Sequence, residues 1–204
     1  MGLYGRYLLP RLVHLAMKHP QAHERRMSLI PQATGTVLEV GIGSGLNLRF
    51  YTNAARHIYG VEPSEQLLSM ARAAARHSPV PVELICADAE HLPLQEASID
   101  TVVMTWTLCS IAAPARALAE MKRVLRRDGK LLFVEHGLAP DPSVQRWQHR
   151  LTPHWARLAG GCHLDRSMDT LIVAAGFRID ALNARYVPGP KPFTFFYEGS
   201  ASPV

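Results

Sequence analysis

The chain has 204 residues, of which 48% are hydrophobic and 19% are charged, and its formal net charge is +5. This length and balance are typical of one globular domain, and they exclude a disordered chain, a collagen-like chain and a protein with several membrane spans. The three cysteines are an odd number and lie far apart, which argues against a disulfide framework and predicts a reducing, cytoplasmic compartment.

The basic residues are dispersed along the chain. The basic pairs are short, as at residues 25–26 and 126–127, and no basic run alternates with aromatic residues. Because nucleic-acid sites gather Lys and Arg on one face or helix, a nucleic-acid partner is not expected. The net charge indicates only an attraction to anionic molecules or surfaces.

The N-terminal segment, residues 1–34, is predicted to form a helical lid or cap. Leu8, Leu12 and Leu15 follow helical spacing, so an amphipathic helix is expected there. Polar and charged residues such as Lys18 leave its apolar stretch too short for a secretion signal or a membrane span. We expect this helix to pack on the domain or to close over a site rather than to anchor the chain in a membrane. A weak contact with the membrane surface is kept as an alternative.

Short apolar runs then alternate with helical stretches, which predicts a parallel sheet covered by helices. The predicted elements are a strand over 36–40, a helix over 44–54, a strand over 57–62, a helix over 64–77, strands over 82–86 and 99–106, a helix over 114–126 and a strand over 130–135. Ser64 is expected to cap the second of these helices.

The regular alternation of strands and helices ends after residue 135. A helix over 141–155 is expected to be interrupted by Pro153, a helix over 166–175 is expected to stop at Gly176, and strands are expected over 177–186 and 193–197. No repeat or linker divides the chain, so residues 1–204 are expected to form one domain. The fold class is α/β, a doubly wound, mostly parallel seven-stranded sheet with helices on both faces and an antiparallel last strand.

A glycine-rich turn follows the first strand. Gly41, Gly43 and Gly45 alternate with other residues in the sequence Val-Leu-Glu-Val-Gly-Ile-Gly-Ser-Gly over 37–45. Glycine at such a turn lets a ligand approach the backbone, and ligands of open parallel sheets lie at the carboxyl ends of the strands. The nicotinamide-cofactor pattern requires a further glycine where Leu46 stands, so that class of cofactor is disfavoured.

Three acidic residues lie where strands end. Glu39 stands two residues before the first glycine and suits a cationic ligand group better than a pyrophosphate. Glu62 follows the glycine turn by about twenty residues, a spacing at which a carboxylate holds ribose hydroxyls. Asp88, after the third strand, is positioned to accept a hydrogen bond from the amino group of an adenine. Together the three acids predict a nucleoside site.

Five segments, in order and spacing, resemble the class I S-adenosylmethionine-dependent methyltransferases: 37–45, 60–64, 87–90, 98–103 and 125–130. This resemblance covers roughly residues 35–186 and implies S-adenosylmethionine as the cofactor. Residues 106–111, 135–136 and 161–162 are in addition similar to the small branch that includes membrane-associated thiol S-methyltransferases.

The resemblance also implies which residues contact the cofactor. They are Glu39, Gly41, Gly43, Gly45, Glu62, Pro63, Asp88, Ala89 and Thr105. The glycines would contact the methionine part, with Glu39 near its ammonium group. Glu62 would bind the ribose, Asp88 with Ala89 would lie beside the adenine, and Thr105 would line the wall next to the sulfonium.

The residues after the fourth strand argue against nucleobase and amide nitrogens as methyl acceptors. Enzymes that methylate nucleobase or amide nitrogens carry an Asn/Asp-Pro-Pro-aromatic motif there, whereas this chain has Thr-Trp-Thr-Leu over 105–108. No metal site is expected, because the His and Cys residues of 149–163 show neither C-x-x-C nor H-x-x-x-H spacing.

The expected acceptor is a small, fairly apolar molecule, with sulfur favoured over oxygen or nitrogen. His136, at the end of the fifth strand, is the candidate base, and a buried histidine satisfied by backbone is the alternative. Cys109 is interpreted as a small buried residue, and Arg166 either pairs with an anionic acceptor or is solvated. Two other functions stay open: a lipid or quinone methyltransferase at the membrane surface, and a non-catalytic nucleoside-binding module.

Overall fold

The computed structural model describes residues 8–204, which contain seven strands and six α-helices. The strands are β1 (Gly35–Val40), β2 (Ala55–Val61), β3 (Val82–Ile85), β4 (Ile99–Thr105), β5 (Leu125–His136), β6 (Phe177–Tyr186) and β7 (Phe195–Pro203). The helices are α1 (Leu9–Ala16), α2 (Pro20–Leu29), α3 (Glu65–Ala75), α4 (Pro114–Val124), α5 (Pro142–Leu158) and α6 (Met168–Ala174). None of these helices combines the length and apolar character that crossing a membrane requires.

The strands form one sheet in the order β3-β2-β1-β4-β5-β7-β6. The last strand, β7, is antiparallel to both of its neighbours, and all the other neighbouring strands are parallel. This confirms the predicted fold class. The strand order reverses between β1 and β4, and in such sheets the crevice at the carboxyl ends of these two strands is where ligands bind.

Helices cover both faces of the sheet because successive strand residues point to opposite sides. Met104 of β4 lies in a core cluster with Leu118 and Met121 of α4, whereas its neighbour Val103 packs on the opposite face with Leu68 of α3. All five side chains are fully buried. Each large apolar side chain contributes about 1.5–3 kcal/mol, so the β4 backbone is held firmly between the two layers.

The helix predicted over 44–54 is wrong. This segment consists of turns and a single 3-10 turn at Leu48–Phe50. Two of its polar side chains, Asn47 and Tyr51, point inward and donate hydrogen bonds to the buried carboxylate of Glu39. These bonds fix the segment in turns, and Tyr51 itself adopts an extended backbone with φ −64° and ψ 146°.

Several other boundaries differ from the prediction. The helix α5 does not break at Pro153 but continues to Leu158, and Pro153 is exposed on its surface. The strand β7 begins at Phe195 and runs to Pro203, whereas Phe193 ends a 3-10 turn. By contrast, the helix cap at Ser64 is confirmed, since its hydroxyl accepts a hydrogen bond from the amide of Leu67 at 3.4 Å.

The predicted N-terminal helix is present as α1, but its leucines face outward. Leu8, Leu12 and Leu15 are 50%, 44% and 64% exposed. The opposite side of α1 faces the domain, with Pro10 buried and Val13 and His14 half-buried, and His14 Nδ1 lies 2.6 Å from the Ser44 hydroxyl in the glycine turn. Of the predicted cap over 1–34, residues 1–7 lie outside the described residues.

Candidate active site

The glycine turn lies at the carboxyl end of β1, beside the point where the strand order reverses. Gly41, Gly43 and Gly45 have φ angles of +67°, +57° and +78°, a region that side chains other than glycine rarely adopt. A Cβ added at Gly41 would clash with the Thr107 side chain, and one at Gly45 would lie 2.9 Å from Ala74 Cβ. At Gly43 the nearest atom would be a backbone oxygen at 3.9 Å, so this glycine faces open space.

Glu62 holds the glycine turn from the end of β2. Its two carboxylate oxygens accept hydrogen bonds from the amides of Gly43 at 3.2 Å and of Ser64 at 3.0 Å. Burial raises the pKa of Glu62 above its ordinary value, while the two amide bonds act in the opposite direction. Since each carboxylate oxygen has two lone pairs, capacity for further hydrogen bonds is left on both.

Glu39 lies directly beneath the turn and is fully buried. Asn47 Nδ2 donates to one of its oxygens at 3.0 Å, and the Tyr51 hydroxyl donates to the other at 2.8 Å. Burial raises the pKa of Glu39 to about 7, although the bonds from Tyr51 and Asn47 and the charge of Arg26 oppose the shift. The carboxyl group is therefore a site where positive charge nearby is favoured.

Arg26 of α2 joins the N-terminal helices to this site. Its Nε donates to Asn47 Oδ1 at 2.8 Å, and its NH1 group donates to the Met17 carbonyl at 2.7 Å. The guanidinium lies 4.8 Å from the centre of the Trp106 ring. Burial lowers the pKa of Arg26 to about 10. This role of Arg26 was not predicted from the sequence, because a basic pair is typical of a solvated surface and only the fold brings α2 onto the turn.

Thr105 and Thr107 form the neighbouring wall at the end of β4. Thr105 Oγ1 accepts a second hydrogen bond from Asn47 Nδ2 at 3.0 Å, and the Thr107 hydroxyl donates to the Val40 carbonyl at 3.2 Å. Between them, Trp106 adopts a positive φ of +53°, which is uncommon for a bulky residue. The predicted residues Glu39, the three glycines, Glu62 and Thr105 are thus brought together.

The predicted adenine-side residues lie in the loops after β2 and β3. Asp88 is exposed, and its Oδ1 accepts from the Glu90 amide at 2.9 Å and pairs with His91 at 3.1 Å. Ala89 is buried in the core beside it. Pro63 is exposed, and no hydrogen bond among the described residues joins these three to Glu39 or Glu62.

The loop after β4, residues 106–111, is held from two sides. Glu135 is fully buried and accepts hydrogen bonds from the amides of Thr107, Leu108 and Cys109 at 2.8, 3.0 and 3.2 Å. Burial raises the pKa of Glu135 to about 7, although the three amide hydrogen bonds oppose this shift. Arg166 donates through NH1 to three carbonyls of the same loop, at 2.7, 3.2 and 2.7 Å, and so holds the loop from its other side.

His136 lies next to this loop at the end of β5 and is 6% exposed. Its Nδ1 is 3.6 Å from the thiol sulfur of Cys162, and its Nε2 is buried without a hydrogen-bond partner among residues 8–204. The alternative of a histidine satisfied by backbone is therefore wrong. Interaction with the Cys109 thiol and with His136 lowers the pKa of Cys162 to about 5. Interaction with Cys162 and burial raise the pKa of Cys109.

Comparisons with known proteins agree with this arrangement. The family model described as "Methyltransferase domain" matches residues 38–133. The rat thiol S-methyltransferase TMT1B is 33% identical over 173 residues, which cover 80% of this chain and 70% of the relative. Human thiol S-methyltransferase TMT1A is 32% identical over 165 residues, covering 78% and 66%.

Solved structures show the same fold. A SAM-dependent methyltransferase from Aquifex aeolicus superposes with a TM-score of 0.63 at 18% identity, covering 96% of this chain and 98% of that one. Fold, family model and relatives lead to one assignment: this chain belongs to the class I S-adenosylmethionine-dependent methyltransferases, with S-adenosylmethionine as its methyl donor.

Proposed function

We propose that the chain transfers the methyl group of S-adenosylmethionine to a small thiol. The observation that carries this proposal is His136, whose buried Nε2 has no partner among the described residues while its Nδ1 lies against Cys162. The relatives named thiol S-methyltransferases, which match about four-fifths of this chain, support the same acceptor class.

The residues at the carboxyl ends of the strands fit the cofactor. Gly43 faces open space, so a ligand can approach its backbone. Glu39 supplies a buried carboxyl group that favours the cationic end of the cofactor. We assign cofactor contacts to the residues predicted from the sequence: Glu39, Gly41, Gly43, Gly45, Glu62, Pro63, Asp88, Ala89 and Thr105. When bound, the cofactor supplies an electrophilic methyl group.

The chain's own task is to align a thiol and to take its proton. A free thiol has a pKa of about 8.5, so only a few per cent is ionised near neutral pH. A thiol hydrogen-bonded to His136 Nε2 would pass its proton to the ring, and the thiolate of Cys162 at Nδ1 would stabilise the resulting imidazolium. Alignment of the reacting atoms supplies the larger part of the acceleration, about 7–11 kcal/mol in favourable cases.

The N-terminal helices are proposed to cap the cofactor and exclude water. Arg26 bonds Asn47 beneath the turn, and His14 lies against Ser44 within it. Both contacts bring α1 and α2 to the residues assigned to the cofactor. A water-excluded site strengthens the electrostatic interactions within it.

The test is methyl transfer from isotopically labelled cofactor to a panel of small thiols, phenols, amines and vesicle-embedded quinols. Transfer to thiols alone is expected. Transfer only to phenols, amines or quinols contradicts the thiol acceptor. Cofactor binding by calorimetry without turnover on any acceptor would instead indicate a non-catalytic module.

The role of His136 is tested with His136→Gln at several pH values. We expect kcat/KM for a thiol to fall about 10²–10⁴-fold near pH 7 with cofactor affinity unchanged. The loss should shrink as the pH approaches the thiol's own pKa of about 8.5, since the thiolate then forms without a base. His77→Gln, at an exposed histidine beyond the end of α3, is the matched control. A loss that is independent of pH would refute the role of a base.

We also propose a weak contact of α1 with anionic membrane surfaces. Its leucines Leu12 and Leu15 are exposed beside the basic residues Arg11 and Lys18, an arrangement suited to the interface of a bilayer. Native protein is expected to sediment with phosphatidylglycerol-containing vesicles at low salt, and the double variant Leu12→Ser, Leu15→Ser is not. Leu182→Ser, an equally exposed leucine on β6, is the control. Equal sedimentation of all three proteins would contradict the proposed contact of α1 with the membrane surface.

A further inference from the structure

Two of the three free thiols of the described chain lie together beside the proposed acceptor site. The Cys109 and Cys162 thiols interact, since each shifts the pKa of the other, and the Cys109 sulfur also lies 3.6 Å from the Ser110 hydroxyl. Their loops are joined directly, since the amide of His163 donates to the Cys109 carbonyl at 2.8 Å. A Cβ added at Gly161 would lie 3.0 Å from the Ser110 carbonyl oxygen, so the two backbones are also in close contact.

The two sulfurs have unequal environments. Cys162 is partly exposed and faces His136 Nδ1 at 3.6 Å. Cys109 is buried, and its amide donates to Glu135 at 3.2 Å. The charged or titratable groups near the pair include His136, Glu135, His163 next to Cys162, and Arg166 at the Cys109 carbonyl. Of these, Glu135 and Arg166 already bind the loop at 106–111.

An accessible thiolate next to a second thiol is the arrangement that reacts with disulfides. Cys162 is the more exposed of the two sulfurs and faces His136 Nδ1, which makes it the attacking sulfur, and the buried Cys109 is placed to resolve the product. Cys86 is exposed but has a raised pKa, mainly because of its hydrogen bond with Glu65. Cys86 is therefore an internal control for the reactivity of Cys162.

We propose that Cys162 and Cys109 form a thiol–disulfide exchange site that accepts small-molecule disulfides. The Cys162 thiolate attacks one sulfur of the disulfide, a mixed disulfide forms, and one thiolate leaves. Cys109 then gives its proton to the first released thiolate and attacks the Cys162 sulfur, whose bond to the remaining small-molecule sulfur breaks so that the second thiolate leaves. The protein gains one disulfide while the small disulfide is reduced to two thiols, so electrons balance without another reactant.

The exchange has a consequence for the neighbouring histidine. In the disulfide form, Cys162 no longer offers a thiolate to His136 Nδ1, and the loops at 106–111 and 160–163 are covalently tied. We expect methyl transfer to thiols to fall on oxidation and to return on reduction. This consequence rests on the proposed thiol acceptor, whereas the exchange itself does not.

The test uses the full-length chain, reduced, freed of reductant and incubated with oxidised glutathione near pH 7. Intact-mass analysis is expected to show the loss of two hydrogen atoms, and peptide mapping is expected to locate a Cys109–Cys162 disulfide. Cys109→Ala should retain a mixed disulfide at Cys162, and Cys86→Ser should behave like the native chain. Circular dichroism confirms that each variant is folded.

Three results would overturn the proposal: no Cys109–Cys162 disulfide in the native chain, a disulfide that includes Cys86, or oxidation of Cys109 in Cys162→Ala. The mapped linkage in the native chain decides by itself if a variant fails to fold. If the chain forms the disulfide but methylates no thiol, the exchange site is supported and the proposed thiol acceptor is wrong. The two failures are therefore distinguishable.

Discussion

Replacing single glycines of the turn separates ligand contact from folding. Gly43 and Gly45 both have positive φ, so alanine at either position costs about 1–2 kcal/mol of backbone strain. The new methyl group differs in its surroundings. At Gly43 it projects into open space, whereas at Gly45 it lies 2.9 Å from Ala74 Cβ and 3.3 Å from Ala71 Cα.

The magnitudes follow from this difference. Gly43→Ala should lower the free energy of unfolding by the strain alone, which is a Tm decrease of about 2–8 °C for a chain of this size. Gly45→Ala adds overpacking of about 1–3 kcal/mol and should be the less stable variant. If S-adenosylmethionine approaches the backbone at Gly43, the methyl group there costs a similar amount of binding, about 5–150-fold in Kd.

Thermal unfolding and calorimetric titration with S-adenosylmethionine measure the two quantities independently. We expect Gly43→Ala to be the more stable variant and the weaker binder, and Gly45→Ala the reverse. Native cofactor affinity in folded Gly43→Ala would refute the reasoning, because the open space beside this glycine would then not be the cofactor site.

Two further predictions concern buried charges. Arg26→Met should lower the free energy of unfolding by about 3 kcal/mol and weaken cofactor binding, since hydrogen bonds from a charged donor contribute about 1.5–3 kcal/mol each. Arg25→Met, which loses the contact with Phe196 at 5.1 Å, should cost about 1 kcal/mol by chemical denaturation, and equal losses would contradict the Asn47 bond as the cause. The pKa of Glu39 is raised to about 7, so its contribution to stability is full below the unfolded value and is lost as pH rises through about 7. The free energy of unfolding should therefore fall between about pH 5 and 8. Glu39→Gln should flatten this slope only in part, because Glu135 and Glu62 titrate in the same sense, and an unchanged slope would exclude Glu39 as its source.

The sheet and the ligand edge were predictable from the sequence because their signals are local. An apolar run followed by alternating glycines marks the end of β1 without reference to any distant residue. The acid Glu62 was found the same way, by its spacing from the turn, and the structure adds that it binds the amide of Gly43. Such features depend on neighbours within about one βαβ unit.

The contacts that hold the site were not predictable because they join distant segments. Arg26 meets Asn47 only after α2 packs on the turn, and Arg166 reaches back to the loop after β4. The helix predicted over 44–54 failed for the same reason. Its local pattern suits a helix, but two of its side chains are bound to Glu39, a tertiary interaction that overrides local propensity.

Three buried carboxyl groups share one structural task along the edge of the sheet. Glu39, Glu62 and Glu135, at the ends of β1, β2 and β5, each bind donors from the loop that follows a neighbouring strand or their own. Acids oriented in this way need no rearrangement when a positive charge arrives, and their effect is stronger than in water because the surroundings are less polar. We propose that the same carboxyl groups that shape the loops preorganise the crevice for the cationic methyl donor.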